Sequence, residues 1–148
     1  MGTRSRIGMK LSEGQILSIY CHWDGYPEFN GVILNEHFNT PKKISELLDG
    51  GNVSSLWTDS NWDNDKKKRD PQPLFYTDSG AKWDDECPLV SDDLDAYLLL
   101  CGENDTEFAY VFGTDCSGKT DWKCYNTRQW DDNYLQEVEI PVHSEVAA

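Results

Sequence analysis

Apolar and polar residues roughly alternate from Thr3 to Leu11 and again from Gln15 to His22, with Ser12, Glu13 and Gly14 between the two runs. A period of two marks strands, and a short link containing glycine joins them as a β-hairpin. On the second strand Ile16, Ser18, Tyr20 and His22 share one face, while Leu17, Ile19, Cys21 and Trp23 share the other. The second set is the more apolar and is expected to meet the core, which turns Tyr20 and His22 toward solvent or a pocket. Asp24, Gly25, Tyr26 and Pro27 then end the strand, because glycine admits unusual backbone angles and proline cannot donate to a ladder. A helix is predicted over residues 28–38, with Phe29, Val32, Ile33 and Leu34 for its buried side. Thr40 is placed to cap a second helix that begins at Pro41, carries Ile44, Leu47 and Leu48 as its stripe and stops at Gly50 and Gly51. The run "NVSSLW" reads as a short third strand.

Periodicity is lost over residues 58–86, a stretch rich in Asp, Asn, Pro and Lys and too long for an ordinary connection. It reads as an irregular flap or insertion that packs down in part through Trp62, Phe75, Tyr76 and Trp83, with Lys66, Lys67, Lys68 and Arg69 as a basic run that is solvated by default and, as the lesser alternative, captures phosphate. Ser91 is the expected cap of a helix through "DDLDAYLLLC". "EFAYVFG" and "DWKCYN" read as two strands of a second hairpin, followed by Trp130, Tyr134 and Leu135 for docking and an extended "VEIPV". The expected architecture is α+β: a mainly antiparallel sheet with two to three short helices packed on one face, in a single domain over residues 1–148.

Charge narrows the function. The chain has 27 Asp plus Glu against 13 Lys plus Arg, a formal net charge of -14, which repels nucleic acid and anionic membranes at long range. Acidity can serve solubility alone, or it can let a small protein mimic nucleic acid and occupy a basic enzyme. No run is apolar enough to span a bilayer and the opening residues carry no signal core, so the chain is expected to stay in the cytosol. The five scattered cysteines form no Cys-x-x-Cys pair and read as reduced, mostly buried thiols. Phosphate-binding glycine loops, the Gly-x-Ser-x-Gly elbow and His-Glu-x-x-His are absent, so a familiar nucleotide, nucleophile or zinc solution is not indicated.

A constellation remains. Arg4, Ser5 and Arg6 lie on the strand that pairs with the one carrying Tyr20 and His22; Arg4 and Arg6 share a face and could offer guanidinium forks to an anion. Glu36 and His37 sit at the end of the first helix. Three readings of the two histidines stay open. Each can be a hydrogen-bonded residue near an element end. His22 and His37 can divide acid and base roles across a phosphodiester without a metal, since imidazole titrates near neutrality. Or His22, Asp24, Glu36 and His37 can form a metal site, although their spacing matches no standard one, and no metal or other cofactor is expected. Trp23, on the apolar face, is assigned to the core; Tyr26 could wall a pocket or stack on a base.

"TRSRIG" followed by "IYCHWDGYPEFNGVIL" and "EHF" resembles a group of small, largely uncharacterised proteins of tailed bacteriophages. These begin with a Thr-Arg-Ser strand and carry a Tyr-x-His-Trp-Asp-Gly-Tyr-Pro turn, then a helix with Glu-His before an aromatic. The likeness covers roughly the first 57 residues and not the 58–86 segment. It implies a counter-defence role, in which a small phage protein sequesters or cleaves a cyclic nucleotide signal of the host. Arg4 and Arg6 would then hold phosphate, Tyr20, Tyr26 or Trp57 would stack on a base, and His22 with His37 would bind or cleave the ligand. The rival expectation is an acidic inhibitor of a host enzyme, presenting Asp84, Asp85, Glu86, Asp92, Asp93, Asp95, Asp131 and Asp132 on a convex face. Either fits a monomer or a homo-oligomer.

Overall fold

The first hairpin forms as the alternation implies: β1 (Ser5–Lys10) and β2 (Ile16–Cys21) pair antiparallel, with Ser5 opposite Cys21, Arg6 opposite Tyr20 and Ile7 opposite Ile19. The computed structural model describes residues 3–56, 73–114 and 120–141. Six further strands complete the sheet among these residues: β3 (Val53–Ser55), β4 (Leu74–Phe75), β5 (Leu89–Ser91), β6 (Phe108–Thr114), β7 (Thr120–Asn126) and β8 (Glu137–Val138). Their order is β4-β3-β2-β1-β6-β7-β8, with β5 joined to β2. Most neighbours run antiparallel, but β1 lies parallel to β6 and β2 parallel to β3. The parallel β1–β6 contact carries residues 4–6 alongside residues 107–109, a juxtaposition that decides where the candidate site lies.

The expected helix after the turn begins as a π-helical turn at Pro27–Gly31 and continues as α1 (Val32–His37). α2 (Pro41–Asp49) follows the sequence reading: Thr40 Oγ1 accepts from Lys43 N at 3.3 Å, and Ile44, Leu47 and Leu48 are buried. In the 58–86 segment the described part, from residue 73 onward, is more regular than expected. It contains β4, a 3₁₀ turn at Tyr76–Ser79 and the single-turn α3 (Trp83–Glu86). The next helix, α4 (Leu94–Glu103), is capped not by Ser91 but by Asp93, whose side chain accepts from Ala96 N at 2.8 Å. Ser91 instead ends β5, opposite Ile16. An aspartate three residues before a free N–H of the first turn outcompetes a serine that is already committed to the sheet.

The helices do not share one face of the sheet. Ile7, Ile19, Cys21, Tyr110 and Cys124 point to the side where Ile33, Leu34, Ile44, Leu47 and Leu48 of α1 and α2 form the larger core. Ile16, Ala109 and Val111 point to the other side and pack with Tyr97, Leu98 and Cys101 of α4. The face expected to look outward is therefore covered, and Ile16 and Ser18 are fully buried. Gly8 lets α4 come this close, since a Cβ there would lie 2.8 Å from Ile16 Cγ2 and 3.2 Å from the Tyr97 ring. Trp23 departs from its core assignment and is 43% exposed, because β2 ends at Cys21 and the left-handed backbone of Asp24, φ 57°, breaks the alternation. Trp130 and Leu135 likewise stay exposed rather than docking.

Candidate functional site

A row of polar side chains crosses one end of the sheet on the α4 face. The register of β1 with β2 brings Arg4 beside His22, one step beyond the Ser5–Cys21 pair. The β1–β6 pairing sets Glu107 beside Arg4, with Glu107 N donating to Arg4 O at 2.9 Å, and the β6–β7 pairing adds Thr127, whose N donates to Glu107 O at 3.0 Å. Gly102 at the end of α4 and the Asp105–Thr106 turn close one side, and Trp23, Arg128, Gln129 and Trp130 line the rest of a cleft of about 480 Å³. That volume lies within the range of small-molecule sites.

Two of its basic groups are held in place by neighbours. His22 Nδ1 lies 2.7 Å from the Tyr20 hydroxyl, and Trp23 meets the imidazole edge-on with centroids 4.9 Å apart. Burial raises the Tyr20 pKa, so the phenol keeps its proton at neutral pH. The contact with Tyr20 ties down Nδ1 and sets the orientation of the imidazole in the cleft wall. Arg128 is fixed more firmly: Nε donates to Asn126 Oδ1 at 3.1 Å, Nη2 lies 3.1 Å from Asp131 Oδ2, and its guanidinium sits 5.0 Å from the Phe108 ring centre and 5.4 Å from that of Trp130. A planar cation in contact with two rings and tethered at one edge loses little freedom when its remaining N–H groups engage an anion. Among the described residues Arg4 makes no ion pair. Thr106 is 1% exposed, and its Oγ1 has no hydrogen-bond partner among the described residues.

The remaining expected site residues are dispersed. Arg6 is not an exposed fork: it is 7% exposed, and its guanidinium donates to Ser18 Oγ at 3.0 Å and Ser18 O at 3.1 Å beneath α4, where burial lowers its pKa. It shares a face with Arg4, but the helix covers that face at its position. Ser5 points to the opposite side, within 3.5 Å of Asn30 Nδ2. Asp24 belongs to the turn, and Gly25 anchors that turn by donating to Thr3 O at 2.8 Å and accepting from the Tyr110 hydroxyl at 2.6 Å. Tyr26 is exposed on a neighbouring cleft that shares Arg128 with this one and is also lined by Phe108. His37 lines a separate cleft with Phe38, Lys43, Glu46 and Phe75, and Glu36 is exposed on α1. Trp57 lies outside the described residues. Among the described residues no three His, Cys, Asp or Glu side chains gather as metal ligands.

Arg128, Glu107 and Thr106 are among the cleft residues that sequence reasoning did not single out, and Trp130 was expected to dock rather than to line a cleft. The signal was present in "NTRQW", an arginine and a tryptophan two apart after a strand, but only the parallel β1–β6 contact places it beside His22. Of the carboxylates proposed for a convex acidic face, several serve internal bonds: Asp93 caps α4, Glu86 Oε1 accepts from Asn52 Nδ2 at 3.2 Å and Asp131 pairs with Arg128. No protein-family model matches the chain, and no curated protein or solved structure matches it either.

Proposed function

We propose that the chain binds a phosphorylated nucleotide in the cleft between Arg4, His22, Trp23, Arg128 and Trp130, and withdraws it from solution. The observation that carries this reading is the coexistence, in one cleft, of two arginines and two exposed tryptophans. Guanidinium groups recognise phosphate oxygens through paired N–H donors, and an indole face stacks on any base. The His22 imidazole, held by Tyr20, adds a further polar group to the same wall. In the setting that the phage resemblance implies, the ligand is a cyclic nucleotide used as a host immune signal, and the protein is a counter-defence sponge. His22 and His37 line different clefts, so the arrangement favours sequestration over cleavage by a histidine pair.

The test is to incubate the purified chain with a panel of cyclic di- and trinucleotides and cyclic ADP-ribose isomers, then to chromatograph the supernatant before and after heating. Depletion of one compound followed by its intact recovery on heating is expected. New products would replace sequestration with catalysis. No depletion across the panel would end the nucleotide reading and promote the acidic-inhibitor reading in its place.

A further inference from the structure

Phosphate binding gives Glu107 no role, yet this carboxylate stands in the middle of the row. Its backbone is bonded on both sides, to Arg4 and to Thr127, so it is carried by rigid strand rather than by loop. Its side chain is half-buried and lines the cleft, whereas Asp105 on the same rim is exposed. Arg4 is the adjacent residue on the neighbouring strand, but among the described residues the two do not form an ion pair; the pairing in this region is between Arg128 and Asp131. An anion-binding wall with an unneutralised carboxylate at its centre repels a ligand that is phosphate alone. It suits a ligand that brings two adjacent N–H donors along with its phosphate.

Among the common nucleobases guanine meets that requirement, through N1–H and the 2-amino group, which lie parallel and match the spacing of two carboxylate oxygens. Adenine and cytosine set a ring acceptor beside their amino donor, and uracil flanks its single N–H with two carbonyls, so each would aim a lone pair at Glu107. A stacking surface is also at hand. Trp130 is 76% exposed, and the guanidinium of Arg128 lies 5.4 Å from its ring centre, which leaves ring surface open to a base. We infer that the cleft selects guanine nucleotides, with Glu107 accepting N1–H and the 2-amino N–H of a base stacked on Trp130 while Arg4 and Arg128 face the phosphate. This selectivity rests on the nucleotide reading above.

Titration calorimetry on the full chain with GMP, IMP and AMP, and with cyclic di-GMP against cyclic di-AMP, tests it. A bidentate base contact discriminates by about 1–3 kcal/mol, so the guanine form should bind about 5- to 150-fold tighter than its adenine counterpart. IMP, which keeps N1–H and lacks the 2-amino group, should fall between GMP and AMP. Glu107→Gln should bring the guanine-to-adenine ratio close to one, from both sides: guanine nucleotides lose the carboxylate that accepts N1–H and the 2-amino N–H, and adenine nucleotides bind more tightly once the charge that repels their phosphate is gone. Nucleotide binding without guanine preference, or a Glu107→Gln variant that keeps the preference, would overturn the inference and leave the nucleotide reading standing. Failure of every compound to bind the wild type would remove both. The IMP comparison needs no variant and decides the matter even if Glu107→Gln folds poorly.

Discussion

Arg128 is the side chain at which the fold meets the proposed recognition. Phe108 and Trp130 stack on its guanidinium while Asn126 and Asp131 fix one edge, so the plane of the cation is set by the β6 and β7 ends themselves. Lysine would keep the charge and lose the plane, and Arg128→Lys is expected to weaken nucleotide binding by about tenfold or more, together with a modest drop in thermal stability from the lost Asn126 and ring contacts. Unchanged affinity by calorimetry would mean that the guanidinium is packing alone. A second residue-scale effect concerns the turn. Burial raises the Asp24 carboxyl pKa above its usual value of 3.8, so the native state holds this proton more tightly than the unfolded chain does. Ionised Asp24 therefore costs stability at neutral pH, and the cost fades as pH falls through the raised folded value toward 3.8. Asparagine tolerates the left-handed φ of 57° found here. Asp24→Asn should thus show a higher urea midpoint than the wild type at neutral pH, and the two curves should converge below the unfolded pKa. The buried thiols are a third case. Burial pushes Cys21 up to about 11 and both Cys101 and Cys124 up to about 12, so native-state alkylation at mildly alkaline pH should spare all three until the chain unfolds.

Elements divide into those specified by local pattern and those specified by partners. The cap of α4 separates the two alternatives directly: Asp93→Ala should lower stability by about 1 kcal/mol in urea titrations, because Ala96 N loses its acceptor. Ser91→Ala should leave helix content unchanged, since that residue pairs with Ile16 in the sheet. A larger loss of helix signal from Ser91→Ala would restore the sequence assignment. The two hairpins and α2 were legible because alternation, a glycine-containing link and the Thr40–Pro41 start are local signals that tertiary packing did not override. The placement of α4 was not legible. Nothing in "LDAYLLLCGE" says which side of the sheet it covers, and the decisive feature is the missing side chain at Gly8, which only matters once Tyr97 lies over it. For the same reason the site was half visible. Tyr20, His22 and Arg4 followed from hairpin register, while the burial of Arg6 depended on α4, and the arrival of Glu107, Arg128 and Trp130 depended on a parallel strand contact between residues about a hundred positions apart.

At the scale of the whole molecule the proposed binding of a nucleotide runs against the charge of the protein. A net charge of -14 surrounds Arg4 and Arg128 with a repulsive field for any nucleotide. The two contributions act over different distances, and salt separates them. At an ionic strength of about 0.01 M the Debye length is about 30 Å, so carboxylates across the molecule oppose the approach of a phosphate; at about 0.15 M it is about 8 Å, and only charges in and near the cleft are still felt. The association rate of a guanine nucleotide should therefore rise over this range and fall only at higher salt, when the arginines are themselves screened. A binder steered by a basic surface shows a steady decline from the start. Stopped-flow fluorescence can follow this on the native chain, since Trp23 and Trp130 line the cleft and would report occupancy. A rate that falls steadily from the lowest salt would mean that the local field of Arg4 and Arg128 outweighs the acidic surface at long range, and that the excess of carboxylates lies far from the ligand's approach.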